Sequence, residues 1–565
     1  MTSVLFTGGV LWSPADWPAP RAAELLVTAG CIAAVGADLE VPPNTERVEL
    51  RGGTLLPAFA DGHAHPLQAG LEARYAPVRG GSIKAILDGV RGWAADHPQV
   101  SWVYGGGFDL SLATDGVFDA HWLDSIIPDR PVVLHGSDYH TVWCNSEALR
   151  LAGITAGTPD PHDGQIVRRS DGSPVGTLRE WGATGPIFEV MPAPGGDLQL
   201  RAIDDATAQC AAAGITWIQD AWVDPPDVDT YLGAVAAGRL HVGVNLALRA
   251  DPACWRDQPD EFRRLRDKVA QVSGVGQDSG VGSPFGTGPV SRVGQVPQDG
   301  RVPQDGQPRL TANTVKFFVD GVIESGTASM LEPYVDCPHS HGVPNWDRGE
   351  LDAAVAAFSA AGFQVHLHAI GDAAIRDALG AIEQSIDVIR RLDLRPVIAH
   401  LQLIDPTDLD RFAALGVIAC FQPLWAQPDP LQEILTTPRI GSERAALQYP
   451  IGSLVAGNAA VSFGSDWPVT ELSPLEGIAT AVTRQTPDGS PMGGWHPKER
   501  LNLREALAAY TRGVAMQGFR DHAGRLAVDH AADLVWLGAD LTAAPASRVR
   551  SASVRGTWLG GVRIH

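Results

Sequence analysis

Eight short apolar runs, alternating with stretches rich in Ala, Leu and Arg, constrain this chain more than any other feature of it. They are 54–60 TLLPAFA, 215–220 ITWIQD, 242–248 VGVNLAL, 313–319 NTVKFFV, 363–368 FQVHLH, 396–400 PVIAH, 417–422 VIACFQ and 460–465 AVSFGS. Apolar runs without alternation suit strands buried on both faces. The stretches between them, such as LDAAVAAFSAAG and DAAIRDALGAIEQSIDVIRRL, carry the 3.6-residue helical period. Eight strand–helix units predict an α/β fold, the (β/α)8 or TIM barrel.

The two ends of the chain read differently. SVLFTGGVLW, ELLVTAGCIAAVG and RVELRGGTLLP at the start resemble ADLVWLGA and RSASVRGTWLGGVRIH at the end: short strands joined by turns. Residues 1–57 plus 520–565 are therefore expected to form one composite β-sandwich beside a barrel spanning 58–519. Residues 67–200 are far too long for a plain βα loop and are expected to form a cap over the barrel mouth. Residues 272–308 are rich in Gly, Pro, Gln and Ser and repeat VPQDG. That composition cannot bury a core, so a flexible low-complexity loop is expected there.

Composition excludes several function classes. Acidic residues outnumber basic ones, 65 to 43, for a net charge of −22. No Lys/Arg cluster interrupts this excess, so nucleic acid and anionic membrane surfaces are not expected partners. No stretch approaches the length of a membrane span, and the N-terminus lacks the basic and apolar regions of a secretory signal. Six scattered cysteines without a CxxC read as reduced thiols of a cytoplasmic protein.

The strongest local signal is DGHAHP at 61–66. His63 and His65, two residues apart after an apolar strand, can face one side and share a metal. Further candidates stand at other strand ends: Lys316, His368, His400 and Asp466. In a barrel the C-terminal strand ends converge on one mouth, where active sites sit. Lys316 is one of only four lysines and lies inside an apolar strand. A lone buried ammonium is costly. An amine there can instead take up CO2 and become an anion able to bridge two metal ions.

With LLPAFADGHAHP, HTVWCNSEAL, GITWIQDA, VKFFVDGVIESGTASMLEPY, HLHAIGDAAI, IAHLQLI, FGSDWPV and LAVDHAADLVWL, the chain resembles the amidohydrolase superfamily over nearly its whole length. The resemblance is to amidohydrolase family 3, the YtcJ-like and N-substituted formamide deformylase-like proteins. It implies a TIM-barrel hydrolase with two divalent metal ions, zinc by default, with Fe, Mn and Co also suiting the ligands. His63 and His65 would hold one metal with Asp466, and His368 and His400 the second. A CO2-derived carbamate on Lys316 would bridge them, and Asp466 would shuttle the proton. His366, two before His368, competes as a ligand. His140, Trp143, Asn145 and Trp467 are expected to line the pocket, with Trp425 and Trp495 as further aromatic candidates. Asp320 and Glu324 read first as turn residues, and Cys337, His339 and His341 as a loop.

The expected reaction is hydrolysis of a non-peptide carbon–nitrogen bond in a small molecule. Alternatives are a same-fold enzyme acting on an ester, deaminating or isomerising, and a non-catalytic metal- or small-molecule-binding protein. A homodimer is a candidate assembly. Because closure entropy grows only with the logarithm of loop length, by about 0.6 kcal/mol per doubling, deleting most of 272–308 should leave kcat and melting temperature nearly unchanged. A large fall in kcat would show that the segment acts as a lid.

Overall fold

The computed structural model describes residues 3–273, 310–541 and 546–565. From residue 274 on, the segment expected to be a flexible loop lies outside the described residues. One eight-stranded, all-parallel sheet forms the barrel: β1 (Phe59–Ala64), β2 (Ile215–Val223), β3 (Gly243–Arg249), β4 (Leu310–Phe318), β5 (Gln364–Ala369), β6 (Val397–His400), β7 (Ile418–Phe421) and β8 (Ala460–Phe463). Neighbours in the sheet follow chain order, as right-handed βαβ connections require. Helices such as Arg348–Ala360 and Asp372–Gln384 cover the outside. The long helical pattern at 372–392 breaks at Ser385, where a second helix, Ile386–Leu392, begins.

Strand periodicity decides which side chains reach the interior. In β4, Phe317 points out and packs on Phe358 of the covering helix, ring centroids 5.8 Å apart. Its neighbours Lys316 and Phe318 therefore point in. Lys316 pairs in register with His366, Phe318 with His368, and Ala369 with His400. Register alone thus gathers a lysine and three histidines at one end of the barrel.

The first apolar run departs from expectation. Residues 54–60 are not one strand but parts of two. Thr54–Pro57 belongs to a six-stranded sheet with Leu534–Leu537 and Val554–Leu559 from the other chain end. The Ala58 amide still bonds to Asp533, while the Phe59 amide bonds to Gly214 in the barrel. The chain changes sheets between these two residues. The barrel strand consequently runs on to Ala64, so His63 lies within it rather than after it. The six-stranded sheet packs on a four-stranded one from residues 3–49 through a core that includes Phe6, Leu25, Leu55 and Trp558. Between β1 and β2 a five-stranded mixed sheet, Val103–Phe108 to Pro174–Arg179, forms the cap.

The barrel closes through the segment after β8. The Asp466 amide donates to the His63 carbonyl at 2.7 Å, and the His65 amide donates to the Trp467 carbonyl at 2.8 Å. Asp61 clamps this seam: one oxygen accepts from the His63 and Ser465 amides, both at 3.0 Å, and the other from the Ser465 hydroxyl at 2.6 Å. Gly464 is required by the close approach, since a Cβ there would sit 2.6 Å from the His63 nitrogen. Asp61→Ala would strand two buried amides and a hydroxyl, each worth about 1–3 kcal/mol. It should lower stability by about 3 kcal/mol in urea denaturation, while Asp61→Asn, which keeps an acceptor, should lose less than half of that. Equal losses in both variants would mean that charge rather than acceptor geometry holds the seam.

Candidate metal centre and active site

The barrel mouth opens into a cavity of about 520 Å³ lined by His63, His65, Lys316, His368, His400 and Asp466, with His140 and Trp425 on its walls. Among the described residues, one group of metal-type side chains has its donor atoms all within 4.8 Å of one another: His63, His65 and Asp466. Asp466 Oδ1 lies 2.9 Å from His65 Nε2 and 3.4 Å from His63 Nε2. Both imidazoles thus turn Nε2 toward one carboxylate oxygen.

The other nitrogen of His63 is held from behind, and that of His65 faces a carboxylate. His63 Nδ1 shares a proton with His366 Nε2 at 2.9 Å. His65 Nδ1 stands 3.8 Å from Asp220, whose carboxylate is fixed by the Tyr231 hydroxyl. Such backing fixes which ring nitrogen is free to bind a metal. His366 is thereby placed behind His63 rather than beside His400.

Lys316 is fully buried, its Nζ 3.4 Å from His63 Nε2 and 4.7 Å from the centre of the Phe318 ring. Burial pulls its pKa down to about 7, partly offset by Asp466. His368 and His400 pack edge to face at 4.4 Å. His368 Nε2 meets the Gly321 carbonyl at 3.2 Å, and His400 Nδ1 is buried without a partner. Burial, reinforced by nearby positive charge, drives His63, His366, His368 and His400 well below the usual imidazole range. They are neutral, as ligation requires. For His65 burial acts the same way, but the carboxylates of Asp220 and Asp466 outweigh it and raise the group. His400 and Asp466 have left-handed backbones, φ of 76° and 57°. Such conformations in residues other than glycine persist only where surrounding structure enforces them, commonly at functional sites.

The residues expected to line the pocket divide. His140 lines the cavity, 5.1 Å from His368 ring to ring, with Nδ1 bonded to Glu180 Oε2 at 2.8 Å. Burial would lower it, yet Glu180 prevails and raises it to about 9. Asn145, contrary to expectation, does not line the cavity: its Oδ1 caps the helix Ser146–Leu151 and accepts from Val132, while its amide serves two carbonyls, so nothing remains for a ligand. Trp143 is likewise not at the cavity but buried in the cap core, its Nε1 on the Asp119 carbonyl. Trp467 contributes its backbone carbonyl to the seam, packs against the barrel core and lines a neighbouring hollow rather than this cavity. Trp425 supplies the aromatic wall instead, stacked on His400 at 5.1 Å, whereas Trp495 packs against His496.

Asp320 accepts three backbone amides, from Ser329, Ile370 and Gly371, and orders the loop beside His368. Glu324 lines the cavity, and burial, with Asp138 nearby, pushes it up to about 7. Three further residues gain roles here. Asp220 ends an apolar run as the site residues do, a signal available in the sequence. Asp61 belongs to the same motif as His63. Glu180, at φ 61°, carries no sequence signal, because its place depends on how the cap sheet meets the barrel.

The profile of the amidohydrolase family matches residues 46–565. The chain belongs to the amidohydrolase family. Membership makes it a hydrolase of carbon–nitrogen bonds other than peptide bonds. It is 30% identical to the LONG AFTER FAR-RED 3 protein of Arabidopsis thaliana, over all of this chain and 92% of that protein. It is 26% identical to a putative amidohydrolase, YtcJ, of Bacillus subtilis, over 93% and 91% of the two chains. To the N-substituted formamide deformylase of Arthrobacter pascens it is 25% identical, over 96% and 94%. Among solved structures, an uncharacterised metal-dependent hydrolase from Pyrococcus horikoshii superposes with a TM-score of 0.70 at 20% identity, over 96% of this chain and 99% of that one. At that identity the likeness speaks to the fold alone.

Proposed function

We propose that this amidohydrolase cleaves a small neutral amide or formamide with two divalent ions, zinc first among the candidates. The observation that carries the reading is the convergence of His63, His65 and Asp466 donors within 4.8 Å, beside a buried lysine and a pair of neutral histidines. This donor set fits metal. Nitrogen and carboxylate donors suit zinc, and the orphaned Nδ1 of His400 lacks any protein partner. His63, His65 and Asp466 would hold one ion, and His368 and His400 the other, with carboxylated Lys316 between them. When bound, the ions supply hydroxide near neutral pH and polarise the carbonyl.

The chain's own residues do the rest. Asp466 is held by its backbone bond to His63 and presents Oδ1 to the mouth. It takes the proton from the attacking water and delivers it to the leaving nitrogen, since an unprotonated amine leaves poorly. Lys316, shielded from water and held between His63 and Phe318, is a nucleophilic amine suited to CO2. As a carbamate it becomes an anion among the donors, where an ammonium would repel cations. The formamide deformylase relative supports a small-amide substrate. No described helix is long and apolar enough to cross a membrane, and none of the six cysteines is in a disulfide, which supports a reducing, cytoplasmic setting.

The direct test is a panel of N-acyl and N-formyl amines scored for metal-dependent amine release. No turnover of any member by fully metal-loaded protein would reject the reading. Asp466→Asn should retain the fold yet lose at least about 10²–10⁴-fold in kcat, the usual scale of general acid–base catalysis. Near-native kcat with full metal would remove Asp466 from the proton path. Lys316→Ala should lose both metal and activity, and a small carboxylic acid in the assay should restore part of the turnover. Lys316→Arg keeps the charge but is not expected to carboxylate, so it should lose both as well. Undiminished activity in either variant would contradict the bridging role.

A further inference from the structure

A second cavity, of about 760 Å³, adjoins the first between cap and barrel. The two share His65, Gln68, Tyr139, Trp181, Trp222 and Phe318. Trp181, Trp222 and Phe318 form an aromatic cluster at this junction. Their ring centroids are 4.6 Å apart for the two tryptophans and 5.3 Å from each tryptophan to Phe318. Trp222 also meets His65 edge-on, 6.5 Å between centroids, so the cluster reaches the metal-type ligands. From Tyr139 a stack of near-parallel rings lines the chamber: His135 lies 5.1 Å from Phe188 at 9° and 5.5 Å from Tyr139 at 22°.

The charge of the lining defines what fits, and it is one-sided. Asp163, Glu189, Asp224, Asp227 and Asp251 line the chamber, and its one guanidinium, Arg249, is bound to Asp224 at 2.7 Å. In the metal chamber Arg79 is paired with Glu72 at 3.0 Å, and His140 is bonded to Glu180. Among the described residues, neither chamber offers an unpaired guanidinium to a carboxylate.

We propose that the second chamber is a specificity site. It takes an aromatic, uncharged or cationic arm attached to the carbon–nitrogen bond being hydrolysed and disfavours arms ending in a carboxylate. The inference rests on the hydrolytic reading above. Its volume matches that of a small-molecule site, and its flat walls suit a planar ring. The acidic lining repels anions.

Two matched series test it. One is the N-formyl derivatives of 2-phenylethylamine, propylamine and phenylalanine, with the arm on nitrogen. The other is 3-phenylpropanamide, butanamide and the 4-carboxyphenyl analogue of the first, with the arm on the acyl side. In at least one series the neutral aromatic member should exceed both its alkyl and its carboxylate counterparts about tenfold or more in kcat/KM. Phe188→Ala should reduce the aromatic-to-alkyl ratio about tenfold with little change in melting temperature. Phe188→Leu, which keeps apolar bulk, should reduce it too and serves if the alanine variant fails to fold. Equal rates for aromatic and alkyl members in both series, or a preference for the carboxylate, would overturn the proposal while leaving the hydrolytic reading intact. If no member of either series is hydrolysed, the hydrolytic reading loses its support and calorimetry decides the chamber. Binding of 2-phenylethylamine over propylamine, abolished by Phe188→Ala, keeps it, and no binding overturns it.

Discussion

The seam that joins β1 to the segment after β8 is the constraint on which the rest of the site depends. Two backbone bonds fix the register of His63 and His65 against Asp466 and Trp467, and Asp61 clamps the same turn from the other side. Residues some four hundred positions apart thereby share one carboxylate oxygen. A slip of one residue would turn one face of β1 into the other and disperse the donors. Gly464 belongs to this device, because any side chain there would push the seam open.

Around that seam the interior works electrostatically by exclusion of water. Burial disfavours the charged forms of four histidines and lowers the Lys316 ammonium, which favours groups able to donate a lone pair. Asp220 and Asp466 present carboxylates to His65, and Glu180 is paired with His140. The left-handed backbones of His400 and Asp466 are tolerated because strands and seam over-determine them. The cap contributes through His140 and Glu180, so it forms part of the chamber and does more than shield it.

Much of this was legible in the sequence. Continuous apolar runs marked the barrel, and polar residues at their ends marked its mouth, because strand direction alone decides where those ends converge. The run at 54–60 misled, since an apolar stretch does not reveal that its hydrogen bonds pass from one sheet to another at Ala58. Asn145 and Trp143 look like pocket residues in HTVWCNSEAL, yet one caps a helix and the other fills the cap core. Side-chain direction within an insertion depends on its own sheet, which the barrel pattern does not encode. Glu180 was silent for the same reason. His366 and His368 sit on one face of β5, and only the approach of His63 from across the barrel distinguishes the supporting residue from the proposed ligand.

The central claim is that Lys316 turns two groups of donors into one bimetallic centre. A crystal structure of the active, zinc-loaded enzyme, with anomalous scattering measured at the zinc edge, tests it most directly. The account predicts two anomalous peaks, one among His63, His65 and Asp466 and one between His368 and His400, with density beyond Lys316 Nζ joining them. A single peak at the first position, with an unmodified Lys316 amine in an enzyme that turns over, would contradict it.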